Sequence, residues 1–220
     1  MAARPLAIAH RAGNDLDLLA RAAQLGVDYA ETDVWLRRGR LEVRHDKTAG
    51  PLPFLWDRWS LRPNWSRRLL LGDVLRAAAG RVRLLLDLKG QDARLPDSLA
   101  EEIAHAGGED AVAFTGGWRY LDQLGELLPQ APRFYTIGGR DGLAAMHARL
   151  ASRPVPGVSI DGRIVVQADA AALKAGGVGT IIAWAVETPD AAERLLHWGV
   201  DGITTKSWEL LAALREGRLS

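Results

Sequence analysis

Short apolar or β-branched runs alternate along this chain with longer amphipathic stretches. Residues 6–9 read as a first buried strand, and 15–25 read as a helix closed by Gly26. A second strand is expected at 28–35, and a short one at 41–44 after a turn at 38–40. Residues 72–79 have a helical pattern whose start Asp73 is placed to cap and whose end Gly80 marks. Residues 82–88 form a nearly unbroken apolar run, as expected of a strand buried on both faces. The rhythm continues with helices at 95–106, 119–128, 143–150 and 168–175 and strands at 111–114, 133–137, 157–160 and 180–186. Thr188-Pro189-Asp190 opens a further helix with proline in its first turn, and strand 201–204 and helix 206–214 complete the series.

Strands separated by helices imply parallel βαβ units. About eight such units fit a closed (β/α)₈ TIM barrel, an α/β fold whose usual length is ~250 residues. A doubly wound open sheet is the alternative. The chain has 220 residues, which suits one barrel domain over 1–220 with no insertion domain. One stretch breaks the rhythm: residues 48–71, with Pro51, Pro53, Pro63, Trp56, Trp59 and Trp65, read as a long βα loop.

Composition narrows the function classes. A 48% apolar and 25% charged composition is that of an ordinary globular protein. The net charge of +1, without a dense basic run, gives no electrostatic case for nucleic acid or an anionic membrane. With no cysteine, thiolate metal sites and cysteine nucleophiles are excluded. No apolar stretch approaches the ~20 residues of a transmembrane segment. The first apolar run is too short for a signal sequence, so a cytoplasmic enzyme is the expectation.

Barrel enzymes carry their sites at the C-terminal ends of the strands. His10 and Arg11 follow the first strand, and His45 follows the short strand at 41–44. Glu31 and Asp33 lie two apart in the second strand and so share a face. Asp87 and Lys89 repeat that spacing. Two carboxylates on one inner face are costly to bury unless a cation or a basic partner compensates them. Glu31, Asp33 and Asp87 offer only oxygen, which suits Mg²⁺ or Ca²⁺. The imidazoles of His10 and His45 then remain for proton transfer, and Arg11 and Lys89 add positive charge suited to a phosphate. Together these groups meet the needs of metal-dependent phosphodiester cleavage.

The motifs Ala9-His10-Arg11, Glu31-Thr32-Asp33-Val34, Val43-Arg44-His45-Asp46, Leu86-Asp87-Leu88-Lys89, Trp184-Ala185-Val186 and Val200-Asp201-Gly202-Ile203-Thr204-Thr205 resemble, in order, those of glycerophosphodiester phosphodiesterases. The resemblance implies a barrel of the phospholipase-C-like phosphodiesterase superfamily. It implies hydrolysis of glycerophosphodiesters to glycerol 3-phosphate and an alcohol. By motif, His10 and His45 would be the acid/base pair, and Glu31, Asp33 and Asp87 would hold the metal. Arg11 and Lys89 would bind phosphate, and Trp184 would line the substrate pocket. A small glycerophosphodiester or lysophospholipid would be the substrate.

The chain also departs from that pattern. The Pro-Glu-Asn-Thr segment that usually follows His-Arg-Gly is missing after His10-Arg11-Ala12-Gly13-Asn14, so the first βα loop is shorter and one wall of the site opens or changes shape. Asp87 stands where Glu is usual, and Glu187 where Asn is frequent. Trp56, Trp59 and Trp65 form either a satellite core or an aromatic wall for a lipid chain or a choline head. Trp198 and Trp208 read as packing residues, Trp35 as either, Ser159 and Asp161 as further pocket candidates, and Thr204 and Thr205 as a helix cap before Lys206 or as residues of a phosphate region at the last strand end. The competing readings are a lysophospholipase-D-like phosphodiesterase, a binding barrel without catalysis, and a metal-dependent lyase or aldolase barrel.

Overall fold

The computed structural model describes residues 4–45, 47–48, 54–57, 60–63, 68–106 and 108–219. Eight parallel strands close into a barrel, numbered here β1 to β8. They are β1 (Leu6–Ala9), β2 (Tyr29–Arg37), β3 (Arg83–Lys89), β4 (Val112–Gly116), β5 (Arg133–Ile137), β6 (Gly157–Asp161), β7 (Thr180–Trp184) and β8 (Gly202–Thr205). Each is hydrogen-bonded to the next, and β1 pairs with both β2 and β8, which closes the ring. The helices α1 (Leu16–Leu25), α2 (Leu71–Ala78), α3 (Leu95–Ala106), α4 (Trp118–Leu127), α5 (Arg140–Leu150), α6 (Gln167–Ala175), α7 (Pro189–His197) and α8 (Trp208–Arg215) follow the strands in turn. The closed ring rules out the open sheet.

The alternation within β3 shows how one strand serves two layers. Leu84, Leu86 and Leu88 point outward into the core between strands and helices. Leu85 points inward to a smaller cluster of Ile8, Tyr29, Ala113, Phe134 and Ile182 that fills the barrel below the site. Tyr29 and Phe134 meet there edge to face, with ring centroids 6.5 Å apart. Asp87 and Lys89 follow Leu85 on the inner face, one and two steps nearer the open end. On the outside, Leu95, Leu99 and Ile103 recur at helical spacing along α3 and are fully buried. Burial of that kind contributes ~1.5–3 kcal/mol per large aliphatic side chain.

Local chemistry sets several helix ends. Asp15 caps α1 by accepting from the Asp17 and Leu18 amides at 2.9 and 3.0 Å, and Gly26, at φ 69°, ends it. Thr188 caps α7, with Pro189 in the first turn. Asp73 differs from its expected capping role. It lies inside the first turn of α2 and pairs with Arg76, while Leu70 occupies the cap position. The cap of α8 is Ser207, not Thr204 or Thr205.

The long region after β2 is also more ordered than a loop. Arg38 (φ 50°) and Gly39 (φ 73°) both take the left-handed conformation in a two-residue turn, the geometry that suits a tight hairpin. The strand Arg40–Val43 returns antiparallel to β2, and Leu69–Leu70 pairs with it. Short strands Lys47–Thr48, Phe54–Asp57 and Ser60–Pro63 form a separate three-stranded sheet. Trp56 lies in the second of these, whereas Trp59 and Trp65, like Asp46, lie outside the described residues. Trp198 and Trp208 pack against the outer core. Trp35 has a structural role: its indole N–H donates to the Arg44 carbonyl at 2.9 Å, and the Arg44 guanidinium lies 4.6 Å from its ring centre.

Candidate active site

The first βα turn organises the site. After β1, Arg11 adopts a left-handed backbone (φ 58°, ψ 16°), a conformation that costs a non-glycine residue ~1–3 kcal/mol. It turns the Arg11 amide onto Glu31, donating to its carboxylate at 2.6 Å. The short 3₁₀ turn Ala12–Asn14 follows, and it seats on β2 because Gly13 has no side chain. A Cβ there would lie 1.8 Å from Thr32 Oγ1. Asn14 is thereby delivered to Asp33. Its amide NH₂ donates to Asp33 Oδ2 at 2.6 Å, and its carbonyl accepts from the Asp33 amide at 2.8 Å. The shortened loop therefore does not leave the β2 side open; it folds down and clasps a carboxylate. Nothing in the sequence pattern singles out Asn14, because the contact depends on the turn.

Glu31 and Asp33 lie on β2, and Asp33 is the register partner of Asp87 on β3. One carboxylate oxygen from each of the three lies within 4.8 Å of the others. Glu31 and Asp33 are almost completely buried. Burial, with Asp33 and Asp87 nearby, pushes the Glu31 carboxyl well above its ordinary range. Burial likewise raises Asp87, against the opposing pull of Lys89. The Lys89 ammonium bridges the pair, 3.0 Å from Asp33 and hydrogen-bonded to Asp87. Burial works against its charge, but Asp87 and Asp33 outweigh it and hold the ammonium above its ordinary pKa. Arg11 Nε lies 3.8 Å from Asp33. A buried all-oxygen trio whose repulsion Lys89 and Arg11 offset only in part fits a hard divalent cation. Asp87, though shorter than Glu, reaches the cluster.

His10 Nε2 lies 3.9 Å from the Glu31 carboxylate. Burial, then the charges of Arg11 and Lys206, lower its pKa to about 4, against the pull of Asp33. The imidazole is therefore neutral near pH 7. His45 emerges from the hairpin, whose path is fixed by the Arg44 amide donating to the Asp33 carbonyl at 3.1 Å. Both imidazoles face one cavity of about 560 Å³ at the C-terminal ends of the strands. Arg11, Glu31, Asp87, Lys89 and Trp184 line it as well. Asp33 lies behind them, held by Asn14 and Lys89.

The far side of the cavity is built by β4 to β8. It presents Thr115, Thr136, Ser159, Thr204, Trp118 and Trp184. Of these, the strand-end reading anticipates Ser159 and Thr204, and the family resemblance Trp184. Thr115, Thr136 and Trp118 carry no motif, and only strand register could have turned them inward. Asp161 and Thr205 serve structure instead. Asp161 holds Arg163 through hydrogen bonds of 2.9 and 3.0 Å. Thr205 donates to Glu187 at 3.1 Å, and Glu187 also accepts from the Lys206 amide at 3.3 Å, which secures the turn after β8.

An Oleispira antarctica phosphodiesterase, solved in complex with the product sn-glycerol-3-phosphate, aligns over 97% of this chain and 97% of its own with a TM-score of 0.79 and 19% identity. A glycerophosphodiester phosphodiesterase from Parabacteroides distasonis aligns over 99% of both chains, with a TM-score of 0.73 and 19% identity. One from Agrobacterium tumefaciens aligns over 97% of this chain and 100% of its own, with a TM-score of 0.67 and 19% identity. The chain shares their barrel. At these identities the likeness establishes the (β/α)₈ fold alone. No protein-family model and no curated protein matches the chain. Among the described residues, no helix is long and apolar enough to cross a membrane.

Proposed function

We propose that this chain is a cation-dependent phosphodiesterase that hydrolyses glycerophosphodiesters to glycerol 3-phosphate and an alcohol. The observation that carries the reading is the buried trio Glu31, Asp33 and Asp87 beside two imidazoles, an arginine and a lysine at one cavity. The likeness to phosphodiesterase barrels, one of them solved with sn-glycerol-3-phosphate, supports it.

In this reading Glu31, Asp33 and Asp87 hold Mg²⁺ or Ca²⁺. The cation, when bound, supplies charge stabilisation at the phosphoryl oxygens. Arg11 and Lys89 bind the phosphate, Arg11 with a planar fork suited to two oxygens and Lys89 as a point charge. Lys89 then shares its ammonium between the carboxylates and the phosphate. His10 and His45 move the protons, one collecting from the attacking oxygen and one giving to the departing alkoxide. An imidazole with a pKa of about 4 is an acceptor near neutral pH, and a phosphodiester anion beside it raises that value again. Trp184 forms part of the wall against which the substrate rests. Reaction would occur in a soluble compartment on a small diester.

The test is direct. The purified chain is incubated with glycerophosphodiesters and Mg²⁺, Ca²⁺ or EDTA, and glycerol 3-phosphate is measured. Turnover that needs the cation and is lost in Asp33→Asn and His45→Ala supports the reading. No hydrolysis with any divalent cation refutes it in favour of a binding barrel. Wild-type turnover in His10→Ala would remove His10 from the acid/base pair.

A further inference from the structure

The barrel has a second charged cavity, at the end opposite the candidate active site. It measures about 500 Å³ and is framed by the segments that lead into β1, β2, β3 and β4 and by the end of α8. Four arginines line it, Arg4, Arg81, Arg83 and Arg215, against two carboxylates, Asp28 and Asp110. None of these six residues lines the first cavity.

The two carboxylates do not neutralise the four cations. Arg4 holds Asp28 through two hydrogen bonds of 2.8 Å, and the Ala7 amide donates to the same carboxylate at 2.8 Å. Arg215 is left 3.6 Å from Asp28, too far for a hydrogen bond, with its Nε buried and without a partner. The Arg83 guanidinium lies 4.3 Å from the ring centre of Tyr29, its register partner at the start of β2. A guanidinium over a ring keeps the N–H groups along its edge for an anion. Arg81 is exposed, and its side chain makes no hydrogen bond or ion pair among the described residues. Asp110 forms no ion pair with any of the four.

Helices of a barrel end on this face, and a basic side chain there ordinarily serves their terminal carbonyls. The protein shows that use nearby. Arg133 donates to the carbonyls of Leu128, Pro129 and Ala131 at 3.4, 3.5 and 3.3 Å, and Lys174 donates to the Gly179 carbonyl at 2.8 Å and pairs with Asp201. Arg81, Arg83 and Arg215 donate to no carbonyl and no carboxylate among the described residues. Like charges around one concavity repel each other and focus a positive field into it. A multiply charged anion relieves that repulsion. Guanidinium forks match phosphate oxygens two at a time, and a phosphate with two or more charges offers oxygens to all three.

We propose that this end cavity is a second binding site, for a phosphate-bearing anion of at least two charges, held by Arg81, Arg83 and Arg215. It shares no lining residue with the first cavity, so it stands apart from the phosphodiesterase reading. The test titrates the full chain with sodium pyrophosphate by calorimetry in EDTA, using the wild type, Arg81→Gln/Arg83→Gln and Arg11→Gln, with citrate as a tricarboxylate comparison. The double variant should bind pyrophosphate at least about tenfold more weakly than the wild type, the effect of one charge-assisted hydrogen bond, and Arg11→Gln should retain the binding. Arg81→Gln alone, which disturbs no ring contact, should weaken it at least about threefold. Ligand-free thermal unfolding that matches the wild type separates lost binding from damaged folding. A sedimentation arm with phosphatidate vesicles distinguishes the source. Co-sedimentation that pyrophosphate competes away assigns the phosphate to a lipid head group, and its absence assigns it to a free small molecule. Pyrophosphate binding that survives in the double variant, disappears only in Arg11→Gln, or is matched by citrate overturns the proposal, as does no binding at millimolar pyrophosphate.

Discussion

Replacing Asn14 by alanine removes both hydrogen bonds that clasp Asp33, the 2.6 Å bond to its carboxylate and the 2.8 Å bond from its amide. A bond to a charged acceptor contributes ~1.5–3 kcal/mol and a neutral one ~1 kcal/mol. The Asp33 amide is also left without its partner. Asn14→Ala should therefore lower stability by about 2–4 kcal/mol, measured by urea unfolding in EDTA. Asp33 would also lose the group that orients it. Removal of such an outer partner typically weakens metal binding ~10–100-fold, which calorimetric titration with Mg²⁺ or Ca²⁺ reads directly. Asn14→Asp sharpens the case, since it sets a second carboxylate against Asp33 and should be less stable than Asn14→Ala in EDTA. An Asn14→Ala protein that unfolds like the wild type and binds the cation as tightly would refute the reasoning.

Two further predictions concern the same turn and its histidine. Gly13→Ala sets a Cβ against Thr32 and should cost at least ~1–3 kcal/mol, with part of the loss recovered in the Gly13→Ala/Thr32→Ala double variant, as read by thermal unfolding. In the cation-free protein the folded His10 has a pKa of about 4, below the unfolded value of 6.5. The unfolded chain therefore takes up the proton first, and stability that is complete above pH ~6.5 is lost as pH falls toward 4, by up to ~3 kcal/mol. Glu31 is shifted upward and contributes with the opposite sign, so the difference between wild type and His10→Asn isolates the histidine. Parallel pH–stability curves for the two proteins would contradict this.

The barrel was legible because its strands are buried on both sides and its helices on one. Runs such as 82–88 and the caps at Asp15 and Thr188 carry that information locally. The ionic half of the site was legible for a related reason. Two carboxylates two apart on one face of a buried strand, as in Glu31-x-Asp33, are costly without a cation or a basic partner, whereas Asp87-x-Lys89 taken alone reads equally as a structural ion pair. The hydroxyl half was less so. Thr115 and Thr136 are unremarkable strand residues until register turns them to the same cavity, and Asn14 reads as a turn residue until Gly13 lets that turn rest on Thr32. Asp73 shows the same limit at a helix end. A good capping residue three positions past the cap makes an ion pair with Arg76 instead.

The central claim is that Glu31, Asp33 and Asp87 bind a divalent cation on which phosphodiester hydrolysis depends. The most direct measurement follows glycerophosphoglycerol by ³¹P NMR with the wild type and Asp33→Asn, in Mg²⁺ or Ca²⁺ and again after EDTA. The account predicts conversion to glycerol 3-phosphate by the wild type with cation, none in EDTA, restoration when the cation is returned, and loss in Asp33→Asn. Turnover that persists in EDTA, or in Asp33→Asn at the wild-type rate, would contradict it.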